Sequence, residues 1–442
     1  MNIVLIGAGS TVFTPGLMTD LASTKAFEGA TVHLVDLDAD AAGTMARLGR
    51  RIAAEHGSDL RFEAHTDRRE ALPGARFVTT TIAVGGAEGW NADLAIPAKH
   101  GIAQTVGDSV GPGGVLRAIR HVPELVRIAE DVAELAPGAT IVNYSNPLTA
   151  NVRGIARATG QPVIGLCHGT MHTLGALARD LEIPAGELRA TFAGLNHLCW
   201  LLDLRHGPVD VYPRLRELVA ARAGEPKAGE GVHQQVSADL LRTLGLYPAP
   251  GDRHVSEFFS WYLRGADGDR LPWGLQPGRD DTIRYIGQKA SLWEQLHAQA
   301  DGRVPLDTSR DQEAERLASI LASIATGKPS YELAVNLPNE GKIPNVPSTA
   351  VVEVPAVVDA AGVTGLAVGP LPPAIAAVLT ARAEQQELTV SAALTGDRAL
   401  ALQALALDPL VPDPATAAAV LDDAVVAHAP FLDSFAAPVG VA

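Results

Sequence analysis

The sequence predicts an α/β protein with two parts: an N-terminal domain built on a mostly parallel sheet, and a second, α+β domain packed closely against it. Three observations predict it. Apolar runs of strand length alternate with helix-length amphipathic stretches from residue 2 to about residue 166. The first run ends in a Gly-x-Gly turn, and the second ends in an acidic residue. Beyond residue 166 the alternation gives way to longer half-exposed strands, helices and Pro-rich extended segments. Strands separated by helices need right-handed crossovers, and so make a parallel sheet. A chain of 442 residues, 47% of them hydrophobic, fills two cores, placed at residues 1–166 and 167–442.

Taken in order, residues 2–6 are an apolar run stopped by Gly7, which reads as a strand buried on both faces. A helix follows to about residue 26. Residues 31–35 form the second strand, closed by Asp36, and residues 39–56 have helical spacing. Residues 75–84 read as a strand ending at Gly85-Gly86. A helix is expected over 114–135, interrupted at Pro123, because proline lacks the N–H and crowds the preceding turn. Residues 140–144 and 162–166 are further strands. Residues 188–205 read as two strands with a turn, 210–330 as mainly helical and 331–370 as extended. The last seventy residues read as Ala- and Leu-rich helices.

Composition narrows the function. A net charge of −15 argues against nucleic acid as a partner, since phosphate binding needs clustered Lys and Arg. Two cysteines, Cys167 and Cys199, are too few for a disulfide framework. Apolar runs break within about ten residues, short of the roughly twenty of a membrane span, so no membrane partner is expected. No charged leader precedes the first strand, so the expected location is cytoplasmic.

The dinucleotide fingerprint is strand, Gly-x-Gly-x-x-Gly, helix, then an acid closing the second strand. Gly7 and Gly9 supply the first two glycines and Val12 stands at the third. Gly7 permits the tight turn, and Gly9 lets backbone approach a pyrophosphate. The N–H groups of Ser10 and Thr11 are expected at a helix N-terminus that favours an anion. Asp36 is placed to accept from ribose hydroxyls, and its charge would repel a 2′-phosphate. The first domain is therefore read as a Rossmann fold binding NAD.

Cys167-His168-Gly169 leaves the end of a predicted strand, and Asn196-His197 follows thirty residues after Cys167. In open α/β sheets ligands collect at such strand ends. A thiolate and an imidazole brought together can hold a divalent transition ion. On spacing alone the same residues also fit a small buried hydrophobe and a hydrogen-bonded structural histidine. Asp108, in Gly107-Asp108-Ser109-Val110-Gly111-Pro112-Gly113-Gly114, and Asn146 also stand at strand or loop ends, as do Asp252 and His254 in Gly251-Asp252-Arg253-His254.

These motifs together resemble glycoside hydrolase family 4, as do Asn345-Val346-Pro347, Val352-Glu353-Val354-Pro355 and Gly396-Asp397-Arg398. The likeness spans nearly the whole chain. It implies a lactate/malate-dehydrogenase-like architecture and NAD- and Mn²⁺-dependent hydrolysis of a small carbohydrate. The implied route is oxidation at carbon 3, elimination across carbons 2 and 1, water addition, and reduction. It also implies that Cys167 and His197 hold the metal, that Asn146 touches substrate beside the nicotinamide, and that Asp108 is the acid. The implied base is Asp252, with Tyr262 and Tyr285 as alternatives, and His168 and Arg284 contact substrate. His168-Gly169-Thr170 after the cysteine is closer to members acting on unphosphorylated α-glycosides: galactosides, glucosides or glucuronides. A homodimer or homotetramer is expected. The competing reading is a 2-hydroxy-acid dehydrogenase of malate or lactate type, which gives Cys167 no task.

Overall fold

The structure is a computed structural model and describes residues 1–222, 231–265, 270–307 and 316–435. Six strands, β1 (Asn2–Ile6), β2 (Thr31–Val35), β3 (Arg61–His65), β4 (Ala75–Thr80), β5 (Thr140–Asn143) and β6 (Val163–Gly165), run parallel in the order 3-2-1-4-5-6. This is the dinucleotide-binding order. The strand β1 lies at the centre and is buried on both faces. Ile3 and Leu5 pack with Met18, Leu21, Met45 and Ile52 of helices Thr14–Ala22 and Ala39–Glu55. Val4 and Ile6 pack with Leu125, Ile128, Val152 and Ile155 of helices Gly111–Leu135 and Leu148–Thr159. Each such side chain stabilises the fold by roughly 1.5–3 kcal/mol relative to exposure. Two-sided burial explains the unbroken apolar run.

The same sheet continues beyond β6. Antiparallel strands β7 (Leu188–Leu195), β8 (Leu198–His206), β9 (Val209–Asp210), β10 (Tyr247–Ala249), β11 (Ser330–Pro338), β12 (Val351–Asp359) and β13 (Gly362–Gly365) extend it. The strand β11 joins β6 at the single register pair Asn336–Gly165, and β12 joins β7 at Glu353–Gly194. The two halves therefore share one sheet, with no linker at residue 166. Helices Pro373–Thr395, Arg398–Ala406 and Pro414–Ala427 return to Gly111–Leu135, burying Val390, Leu405 and Val420 against Leu116 and Ile119. No single helix among the described residues is long and apolar enough to cross a membrane.

Several local expectations are corrected. Helix Gly111–Leu135 runs through Pro123, because Val122, Leu125 and Val126 are buried around it and their packing offsets one lost hydrogen bond. The strand β4 stops at Thr80, and residues 81–84 turn towards the first loop: Thr81 Oγ1 donates to Gly7 O at 2.9 Å. The strand β3 was not anticipated, because at the sheet edge only Phe62 of its five residues is buried. Helix Gly86–Lys99 was also missed; Gly86, Gly89, Asn91 and Pro97 are poor helix formers.

Candidate active site

The first loop is shaped by its two glycines and by Asp36. Gly7 has φ +87°, and a Cβ there would lie 2.8 Å from the Thr81 backbone. A Cβ on Gly9 would lie 2.7 Å from Asp36 Oδ2, the atom that accepts the Gly9 N–H at 2.7 Å. Asp36 also accepts from Asp38 N at 3.0 Å. Val12, at the third glycine position, is 58% exposed, so no close approach demands glycine there. The helix begins at Thr14, later than expected, and the Ser10 N–H closes the turn on Gly7 O at 3.1 Å. Thr11 Oγ1 lies 3.0 Å from Tyr285 OH, which ties this loop to helix Gly278–Ala300.

The carboxyl ends of β1, β4, β5 and β6 are joined by side chains. Ser145 Oγ, after β5, donates to Ile82 O after β4 at 2.8 Å. Asn146 Nδ2 donates to Asp108 Oδ2 at 2.8 Å, and Arg117 Nε donates to Asn146 O at 3.0 Å. Ser109 Oγ donates to Asp108 Oδ1 at 2.8 Å and lies 2.8 Å from His197 Nδ1. Each loop thus holds the next, and the parallel sheet sets their spacing.

Cys167 and His197 meet at the far end of this row. Cys167 follows β6 just before helix Gly169–Leu181, whose Gly169 N–H points at Sγ from 3.4 Å. His197 sits in the two-residue connection between β7 and β8 at φ +64°. That left-handed conformation costs a non-glycine residue on the order of 1 kcal/mol and turns the ring inward. Its Nε2 lies 3.6 Å from Cys167 Sγ. Bonds from a divalent transition ion to sulfur and imidazole nitrogen run about 2.0–2.3 Å, so the 3.6 Å separation fits two ligands of one ion. Asp108, His197 and His254 also bring donor atoms within 4.8 Å of one another, and the His197 and His254 ring centroids are 4.0 Å apart. Asp108 approaches His197 from the other ring nitrogen, Nδ1, at 3.8 Å, so the donor pair facing Nε2 is sulfur and imidazole, which suits a borderline transition ion.

The electrostatics follow from burial. It pushes the Cys167 thiol up to about 12, with Glu353 adding to it, while Gly169 N–H, Asn196 and Arg316 pull the other way. Burial lowers the His197 imidazole, against the pull of Asp108. It takes His254 down to about 3, with His197 adding to the effect. Burial alone would raise the Asp108 carboxyl, but His197, His254, Arg117 and the Ser109 hydrogen bond outweigh it and hold it low. Asp108 therefore rests as a carboxylate and must take up a proton before it can donate one.

Some expected residues stand elsewhere. The Asp252 carboxylate caps helix Gln235–Leu244, accepting from Val236 N at 2.9 Å, Ser237 N at 2.8 Å and Ser237 Oγ at 2.8 Å. It is committed to a helix end, and the structure does not bring it to the Cys167–His197 pair; His254, two residues on, is brought there. Replacing Asp252 with alanine should cost about 1 kcal/mol of stability in urea unfolding through loss of the cap, with the chemical step kept. Tyr262 is buried and donates to Asp239 Oδ2 at 3.0 Å. Arg284 is ion-paired to Asp281 with its side chain 65% exposed, outside the cluster. His168 precedes helix Gly169–Leu181 at its N-cap position without a side-chain cap bond, its ring is 4.6 Å from that of His172, and it is near enough to influence His197.

Glu257 was not anticipated. Its Oε1 accepts from Thr105 N at 2.8 Å, Val106 N at 2.8 Å and Gly107 N at 2.9 Å, which fixes the loop that delivers Asp108. Its only sequence signal was its position three residues after His254. Burial pushes this carboxyl from 4.5 up to about 8, against the pull of the N–H groups. The folded state then holds a proton that the unfolded chain has lost, so this contribution is full below the unfolded value and fades as pH rises towards 8. Glu257→Gln should flatten that part of the stability–pH curve, read by urea unfolding at about pH 5 and pH 8.

Comparison with known proteins supplies the family. The family model described as "Family 4 glycosyl hydrolase" matches residues 2–183, and that of the "Family 4 glycosyl hydrolase C-terminal domain" matches residues 192–411. The chain is 33% identical over 447 residues to an α-galactosidase of Rhizobium meliloti (strain 1021), covering 98% of this chain and 90% of that protein. It superposes on the Bacillus subtilis protein lplD with a TM-score of 0.84 at 29% identity, covering 96% and 99% of the two chains. A 6-phospho-α-glucosidase from gut microorganisms, solved with NAD and Mn²⁺, shares the fold at a TM-score of 0.82 and 20% identity, over 97% and 98% of the chains. The expected dehydrogenase-like architecture is also found: malate dehydrogenase of Plasmodium falciparum matches at a TM-score of 0.54 and 12% identity, over 89% of this chain and 98% of that one. With both family models spanning a site in which Cys167, His197, Asp108 and Asn146 converge, this chain belongs to glycosyl hydrolase family 4.

Proposed function

We propose that this glycosidase cleaves unphosphorylated α-glycosides by NAD- and divalent-metal-dependent oxidation, elimination and water addition. The observation that carries the reading is the 3.6 Å approach of Cys167 Sγ to His197 Nε2, beside Asp108 and Asn146 and in the row of strand ends that begins with the Gly7–Gly9 turn. NAD would supply a hydride acceptor at sugar carbon 3, and the cation would supply polarisation of the oxygen there, which would acidify the proton on carbon 2.

The chain's own residues do the rest. Gly7 and Gly9 keep the first loop low, and Asp36 supplies the acceptor for ribose hydroxyls. Cys167 and His197 hold the cation. Asn146, fixed from its carbonyl by Arg117 and from its amide by Asp108, orients the sugar. Asp108, once protonated, donates to the leaving oxygen. His254, packed on His197 and Asp108, stands nearer the carbon-2 proton than Asp252 does, and its imidazole, taken down to about 3 by burial, has to be raised by the Asp108 carboxylate before it can accept that proton. Tyr285, held at Thr11, stands on the dinucleotide side.

The choice of an unphosphorylated α-glycoside draws on His168-Gly169-Thr170 and on the likeness to an α-galactosidase. Purified protein should be mixed with NAD⁺, Mn²⁺, a reductant and aryl α-glycosides, with and without a 6-phosphate. Phenol release without net NADH, with the label lost to water from substrates deuterated at carbon 2, is the expected result. Steady accumulation of NADH on a 2-hydroxy acid, with no phenol released, would replace this reading with the dehydrogenase.

A further inference from the structure

Behind Cys167, where the parallel and antiparallel halves of the sheet meet, lies a group of buried polar side chains that the proposed chemistry leaves without a task. Glu353 on β12 is 2% exposed, Asn336 on β11 is 0% exposed, and Asn196, beside His197, is 2% exposed. They stand together because Asn336 pairs with Glu353 across β11–β12, Asn336 pairs with Gly165, and Glu353 pairs with Gly194. Gly165 keeps the seam close: a Cβ there would lie 3.1 Å from Asn336 Cβ. Gly194 keeps the β7–β8 hairpin tight, since a Cβ there would lie 2.3 Å from Leu198 O.

Burying an unmatched acceptor costs about 1–3 kcal/mol, yet Glu353 Oε1, Asn336 Oδ1 and Asn196 Oδ1 are buried with no donor among the described residues. A purely structural seam would be cheaper with apolar side chains. Asn196 Nδ2 lies 3.5 Å from Glu353 Oε2, and the Asn196 side chain is near enough to the Cys167 sulfur to favour its ionised form. One amide therefore stands between the carboxyl and the thiol. The acceptor oxygens oppose a thiolate, Arg316, which donates to Cys167 O at 3.2 Å, favours one, and a cation in front of the seam would act in the same direction as Arg316.

We infer that Glu353 is a positioning residue for the Cys167 ligand: it holds the Asn196 amide so that its N–H meets the sulfur, and its oxygens bias the pair towards a divalent cation. The inference rests on the metal reading given above. Glu353→Gln keeps the volume but offers an N–H to Asn196, so the amide can turn away from the sulfur.

The test is Co²⁺ binding to the full-length protein, followed by equilibrium dialysis and by the sulfur-to-cobalt charge-transfer absorption. Glu353→Gln should bind Co²⁺ roughly 10- to 100-fold more weakly, as is typical for loss of an outer partner of a metal ligand. Asn196→Ala should show a similar loss, and the double variant should lose little more, because both act through one path. Glu353→Asp should recover part of the affinity. If Glu353→Gln proves poorly folded by circular dichroism, Asn196→Ala carries the same test. Co²⁺ affinity and absorption within twofold of the parent in both variants would overturn the inference. Cys167→Ser separates the two levels: if it leaves the absorption intact, the metal reading itself has failed.

Discussion

Cys167→Ser is expected to bind NAD as the parent does and to hydrolyse aryl α-glycosides on the order of a thousandfold more slowly. The dinucleotide loop is built from Gly7, Gly9 and Asp36, none of which touches Cys167 in the contacts described, so the first half of the result follows from geometry. The second half follows from the need for a polarised ketone. Stabilising the charge that develops on a carbonyl oxygen is worth several kcal/mol, and each 1.36 kcal/mol is tenfold in rate. A serine hydroxyl is a harder, weaker and protonated ligand, so His197 would be left holding the ion with less help. Intrinsic fluorescence titration with NAD and a phenol-release assay over a range of Mn²⁺ read the two halves separately. Activity within tenfold of the parent at all Mn²⁺ concentrations would count against Cys167 as a ligand.

Asp108→Asn is expected to lower kcat by roughly 10²–10³ for substrates with poor leaving groups, the range typical of a lost general acid. The substitution is nearly isosteric, and Glu257 holds the loop through Thr105, Val106 and Gly107 whatever residue follows. The loss should therefore be chemical and should shrink as the aryl leaving group becomes more acidic and needs less protonation. A series of substituted phenyl glycosides measures that slope. Because the resting carboxyl lies below its ordinary value, activity that depends on its protonated form should rise as pH falls from neutrality, and the asparagine variant should lack that limb. An equal loss across all leaving groups would move Asp108 from proton donor to metal partner, a place its position within 4.8 Å of His197 and His254 also permits.

The parallel half of the molecule was legible in the residues, because its strands apart from the edge strand are mostly buried and leave mainly apolar runs of strand length. Gly7, Gly9 and Asp36 were legible because a tight turn and a ribose acceptor need those residue types at those places. The pairing of Cys167 with His197 could be named only by family likeness. Thirty residues separate them, and spacing alone fitted ordinary packing equally well. Asp252 and His254 show where local reading fails. Both lie on one short helix in one polar motif, and nothing in the motif says that Asp252 turns to cap Gln235–Leu244 while His254 turns to His197. Glu257 and Glu353 were equally hidden, since a buried carboxyl is recognised by its partners and these are distant in sequence.

By itself, then, the amino-acid order determined the alternating α/β framework, the nucleotide loop and the identity of the groups capable of chemistry. These depend on burial pattern and backbone freedom, which are local. Only the tertiary structure decided which groups meet, because the direction of a side chain at a strand end is set by neighbouring loops: Ser145 on Ile82, Asn146 on Asp108, and Ser109 on His197. Those contacts join segments up to about ninety residues apart, and no periodicity within a single segment encodes them.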